Sequence, residues 1–197
     1  RRLRNANLEF GCDSQPTQII HVFDWIATIH CLLYEGQYEE AWRRFESLEP
    51  EIQRLPFSRI QLFRVSRSAL GALTAIQNLN RSFSNTWRLR AQVRVDQLRY
   101  EQLTYTTTLA NFFEGLLQLC IARHHKNSAA QVFSRQLLAD AKNQAYLLHL
   151  RPYQFAAEDK LAEIQTGQSL GRLEQRMEKQ GVSRPKRLMR LFTLPIE

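Results

Sequence analysis

His21, Asp24, His30 and Cys31 carry side chains that could together form a nucleophilic site, and they fall within three turns of one expected helix. Such a site needs a thiolate, a base that takes its proton and a carboxylate that orients the base. The spacing argues against it. Cys31 directly follows His30, so the two side chains leave a helix about 100° apart. His21 and Asp24 share a face and can simply hydrogen-bond to each other.

His124 and His125 could ligate a metal with a third residue, but they fall at an expected helix end, where cationic side chains are favoured anyway. Glu158, Asp159 and Glu163 form a carboxylate cluster at helical spacing. Lys160 lies among them, and a solvated face is expected. Glu114 interrupts an apolar helix, so it requires a partner, and arginine is the expected one. Cys12, Cys31 and Cys120 are odd in number and widely spaced, which excludes a disulfide framework and a C-x-x-C half-site and fits a reducing, cytoplasmic setting. No catalytic, cofactor-binding or metal-binding residue is assigned, and no cofactor is expected.

These residues must be positioned by helices. Seven Gly and six Pro among 197 residues are few for a strand-and-turn fold, and long stretches rich in Leu, Ala, Gln, Arg and Glu favour helix. Residues 1–16 read as the end of a preceding helix or a linker. Apolar residues at spacings of three and four then predict helices over 16–35, 38–55, 57–78, 84–103, 104–123, 128–150 and 152–166. Gly36, Pro56, Pro152, Gly167, Gly181 and Pro185 punctuate the pattern, and Asn127 or Ser128 can cap a helix. Two short basic helices are expected within 168–195. Charged residues cut the apolar runs too early for a membrane span.

Short connectors between helices imply antiparallel hairpins. Against the 34-residue tetratricopeptide pattern, the first hairpin supplies Trp25, Ile29, Leu32, Gly36, Tyr38, Ala41 and Phe45. A middle one supplies Phe113, Leu117, Cys120, Ala129 and Phe133 in a weaker match. A small residue at Ala41 or Ala129 lets the helices of a hairpin approach, with the aromatic filling the space beside it. The expected fold is all-α: antiparallel helical hairpins over 17–195 stacked as a tetratricopeptide-like α-solenoid, with 168–195 as terminal capping helices.

Two stretches also resemble a known family. GQYEEAWRRFESLEPEIQRLPFSRIQLFRVSRSALGA, with Gly36, Ala41, Trp42, Arg43 and Arg44 followed by Arg59, Gln61, Leu62 and Arg64, resembles the C-terminal helical-repeat region of large multidomain bacterial serine/threonine protein kinases. The closing SLGRLEQRMEKQGVSRPKRLMRLFTLP, with Gln180, Gly181, Arg184 and Pro185, is similar to that family's last segment. The resemblance implies a signalling parent with a kinase domain upstream of this segment. This chain itself has no Gly-rich loop after a strand, no H-R-D and no D-F-G.

The formal charge of +8 comes from 27 Lys and Arg against 19 Asp and Glu. Arg88, Arg90 and Arg94 on one helix, and Arg184, Lys186, Arg187 and Arg190 near the end, are the basic clusters. Neither shows the interleaved exposed aromatics of a nucleic-acid platform. An ion-paired surface is therefore the leading explanation of the charge, and a basic domain binding nucleic acid or another polyanion is the alternative function. The expected function is a non-catalytic interaction and scaffolding module for a protein or peptide, including other domains of the same parent. Its expected contacts are His21, Asp24, Thr28, Arg64, Arg67, Thr106 and Asn111 on the first helices of the hairpins, with Arg184, Lys186, Arg187 and Arg190.

Overall fold

The computed structural model describes residues 19–167, 172–179, 181, 183–189, 191 and 192. All its regular elements are helical: α1 (Ile19–Glu35), α2 (Tyr38–Arg54), α3 (Gln61–Arg81), α4 (Asn85–Tyr100), α5 (Thr104–His125), α6 (Ser128–Leu147), α7 (Arg151–Thr166), α8 (Arg172–Lys179) and α9 (Pro185–Met189), with one 3-10 turn at Pro56–Arg59. Among the described residues there is no strand, and no helix is long and apolar enough to cross a membrane. The expectation that Pro16 opens the first helix lies outside the described residues.

The boundaries follow local chemistry. Ser84 caps α4 by accepting from the Trp87 amide, and Asn127 caps α6 by accepting from the Ala130 amide at 3.1 Å. Turns after the helices use left-handed backbone. Gly36 (φ 79°) and Gly167 (φ 71°) hold it without a Cβ penalty, whereas Gln102 (φ 55°), Lys126 (φ 50°) and His149 (φ 57°) hold it with one. The left-handed Gln102 and His149 lie beyond the ends of α4 and α6, at Tyr100 and Leu147, which stop short of the expected 103 and 150. Pro56 sets a 3-10 turn, so α3 begins at Gln61 rather than at residue 57.

Each helix packs on its neighbour in sequence, and α3 also packs on α5, α5 on α7, and α9 on α1. One core runs through the molecule, from Trp25, Ile29 and Phe45 at one end to Phe112, Leu116, Leu138 and Ala157 at the other. The rings of Trp25 and Trp42 both stack on Phe45 at 5.3 Å, and the Trp25 indole N–H donates to the Arg44 carbonyl at 2.9 Å, tying α1 to α2. Ala41 is fully buried, as expected for the close approach of the first hairpin.

The second proposed register does not hold. Ala129 is exposed and Phe133 is 46% exposed; the buried positions of α6 are instead Ala130, Ser134, Leu137 and Leu138. Gly115 allows the contact: a Cβ there would lie 2.8 Å from Leu138 Cγ, and Ser134 Oγ donates to the Gly115 carbonyl at 2.7 Å. Gly71 does the same between α2 and α4, with Phe45 Cζ 2.8 Å and Arg94 3.1 Å from a Cβ built there.

Candidate functional site

Arg64 and Arg67 of the expected contact set lie on a polar seam rather than on an open face. Glu49 sits on the buried stripe of α2 with Phe45 and Ile52, and its carboxylate accepts from both guanidinium arms of Arg94, the Nη2 contact being 2.5 Å. Arg67 approaches the same carboxylate at 3.6 Å. Burial lowers the Arg67 pKa, while Glu49 opposes the shift. Arg94 also lies over the Phe45 ring, 4.9 Å from its centroid. Arg64 forms a two-pronged pair with Glu101, Nε to Oε1 at 2.6 Å and Nη2 to Oε2 at 2.7 Å, and donates to the Arg59 carbonyl. Gln61 adds a 3.1 Å bond to that carboxylate. The hydrogen bonds from Arg64 hold the Glu101 carboxyl below the usual carboxylate range.

Of the other expected contacts, His21, Asp24 and Thr28 on α1 and Asn111 on α5 are half-buried. Thr106 is a correction: it is fully buried, and its hydroxyl accepts from the Leu103 amide at 3.2 Å and donates to the Leu103 carbonyl at 2.9 Å, closing the start of α5. Asn111 lines an open cavity of about 530 Å³ between α5 and α6, together with Thr107, Thr108, Asp140 and Asn143. Arg184 and Arg187 are exposed, whereas Arg190 and the Lys186 side chain lie outside the described residues. Arg187 reaches Tyr34 of α1, with its guanidinium 5.9 Å from the ring centroid.

Cys31 is exposed, whereas His30, Cys120, His124 and His125 are held in structural contacts. His30 Nδ1 lies 2.9 Å from the Ile26 carbonyl, which can only accept, so this nitrogen carries the proton; burial lowers the His30 pKa. Burial pushes the Cys120 thiol up to about 12, leaving it protonated at neutral pH. His124 stacks on Phe83 at 3.9 Å, and His125 meets the same ring edge-on at 5.0 Å. Among the described residues no group of three or more His, Cys, Asp or Glu is placed to hold a metal ion.

Glu114 has the arginine expected for it. Arg99 lies 3.7 Å away, and the side-chain amides of Gln92 (3.0 Å) and Gln118 (2.7 Å) complete its shell.

The expected solvated face on α7 is overturned. Asp159 is 3% exposed and Lys160 is fully buried, with Lys160 Nζ 2.7 Å from a Glu163 carboxylate that Arg123 also engages. Burial lowers the Lys160 pKa, and Glu163 opposes the shift. The signal was present in part: Lys160 falls among Ala156, Ala157 and Ala162, positions that pack inward, just as Glu49 falls on the stripe of Ala41, Trp42, Phe45 and Ile52. Nothing in the sequence pairs Arg67 with Glu49 across different helices.

Part of the basic charge is therefore engaged within the chain. Arg90 lies 4.8 Å from the ring centroids of both Trp42 and Trp87 and 3.3 Å from Glu46, and Arg43, Arg64, Arg94 and Arg123 each meet a carboxylate. Comparison with family models, with curated proteins and with solved structures finds no match to the chain.

Proposed function

We propose that the chain is a non-catalytic, tetratricopeptide-like interaction module that holds a peptide or a neighbouring domain. The observation that carries this reading is the contact order of the helices: α3 packs on α5 and α5 on α7, with α4 and α6 bridging the steps. Odd helices forming one continuous row, with even helices behind them, is the geometry by which α-solenoids build an inner binding face. The protonated Cys120, the carbonyl-bound His30 and the paired Lys160 support a structural role for the groups best suited to chemistry.

The parent we propose is a bacterial serine/threonine kinase, on the likeness of residues 36–72 and of the closing segment. Internal pairing of Arg64, Arg67, Arg90, Arg94 and Arg123 favours protein over nucleic acid as the partner, because a phosphate-binding face needs cations free to release counterions, and these five are held by carboxylates of the same chain.

The test is capture on the purified chain from a bacterial lysate at low and high salt, followed by binding of each recovered protein, expressed alone, to the chain. A protein that binds with a salt-resistant, saturable isotherm supports the reading. Recovery only of nucleic acid, lost at high salt, sinks it.

A further inference from the structure

In an open array the first helix of each hairpin shows solvent on its inner side, giving a recurring exposed position every three or four residues. Helix α3 has none over residues 70–79, all of which are buried, and α5 shows only half-exposed Asn111 and Gln118 between residues 108 and 120. The two ends of the odd row are joined by the chain's own closing segment. Helix α9 packs on α1, where Arg187 meets Tyr34, and Phe192 sits edge-on to Tyr153 of α7 at 5.9 Å. Tyr153 in turn contacts Phe112 of α5 at 5.4 Å, and Leu191 packs on the same core. The segment is anchored from behind by α8, whose Met177 packs with Phe155 and Leu188.

We propose that the face between Tyr34 and Tyr153 is a docking groove occupied in cis by Arg187, Leu191 and Phe192, so that an external ligand must displace them. The groove's ligand is an extended or helical peptide of the same chemistry: a cation placed for Tyr34, followed five residues on by an aromatic for Tyr153, with an apolar residue before it. This inference rests on the interaction reading above. A tethered segment competes at an effective concentration in the millimolar range, so it masks even a moderately strong site.

The test uses the full chain as wild type, Arg187→Glu and Phe192→Ala, with a labelled peptide of residues 184–195 (RPKRLMRLFTLP) as probe. Amide exchange over residues 30–35 and 151–155 is followed alongside peptide binding by fluorescence anisotropy. Both variants are expected to exchange faster in these turns and to bind the peptide at least about tenfold more tightly than wild type. If Phe192→Ala loses its helical circular dichroism, Arg187→Glu, an exposed change, carries the test alone. Unchanged exchange, or equal peptide binding by wild type and variants, overturns the cis occupancy and leaves the interaction reading standing. Faster exchange with no peptide bound overturns both for this face.

Discussion

Glu49 is the residue on which the arginine excess matters most to stability. Its buried carboxylate faces two guanidinium groups, and removing it leaves both with little water to replace it. Glu49→Ala is therefore expected to cost about 3 kcal/mol in urea unfolding, well above an exposed change such as Glu40→Ala. Glu101 makes a pH-dependent contribution of definite sign. Its carboxyl is held low in the folded chain by Arg64, so the pair stabilises fully above the unfolded carboxylate pKa, about 4.3, and the contribution is lost as pH falls through the folded value. The stability gap between wild type and Arg64→Ala should thus close on acidification below that range; a gap constant with pH would remove the pair from the account. The need of Glu114 for an arginine could be read from the sequence because an ionised group inside an apolar run has few alternatives. The partners of Glu49 and Glu101 could not, since they come from other helices 18 to 45 residues away.

Helix existence was readable at the scale of elements, because seven amphipathic runs are separated by Gly, Pro and capping residues. The register of α5 against α6 was not. A repeat pattern directs attention to Ala129, whereas the crossing is set by Gly115, whose missing side chain has meaning only once Leu138 lies above it. Gly115→Ala should gain helix propensity worth about 1 kcal/mol yet lose more to overpacking against a fully buried Leu138. A net destabilisation of about 1–2 kcal/mol is expected in thermal or urea unfolding. Adding Leu138→Ala to Gly115→Ala should cost less than the separate effects summed, which a double-mutant cycle measures directly.

Helix arrays unfold from their ends when each unit touches only its neighbours. Here α9 rests on α1, so the last described helix braces the first, and the core is continuous between them. Unfolding of the whole molecule in urea is expected to be a single transition, with circular dichroism and the fluorescence of Trp25, Trp42 and Trp87 coincident. Fluorescence that leads or trails the loss of helix would show that the first hairpins melt separately. The left-handed turns at Gln102, Lys126 and His149 carry a different implication, for the protein engineer. Each places a side chain where glycine sits more comfortably, so each glycine replacement should stabilise the chain by about 1 kcal/mol or slightly less. The natural sequence thus lies short of the most heat-resistant version of its own backbone, and that unused margin can be recovered at three bends while leaving Tyr34, Tyr153 and the groove between them unaltered.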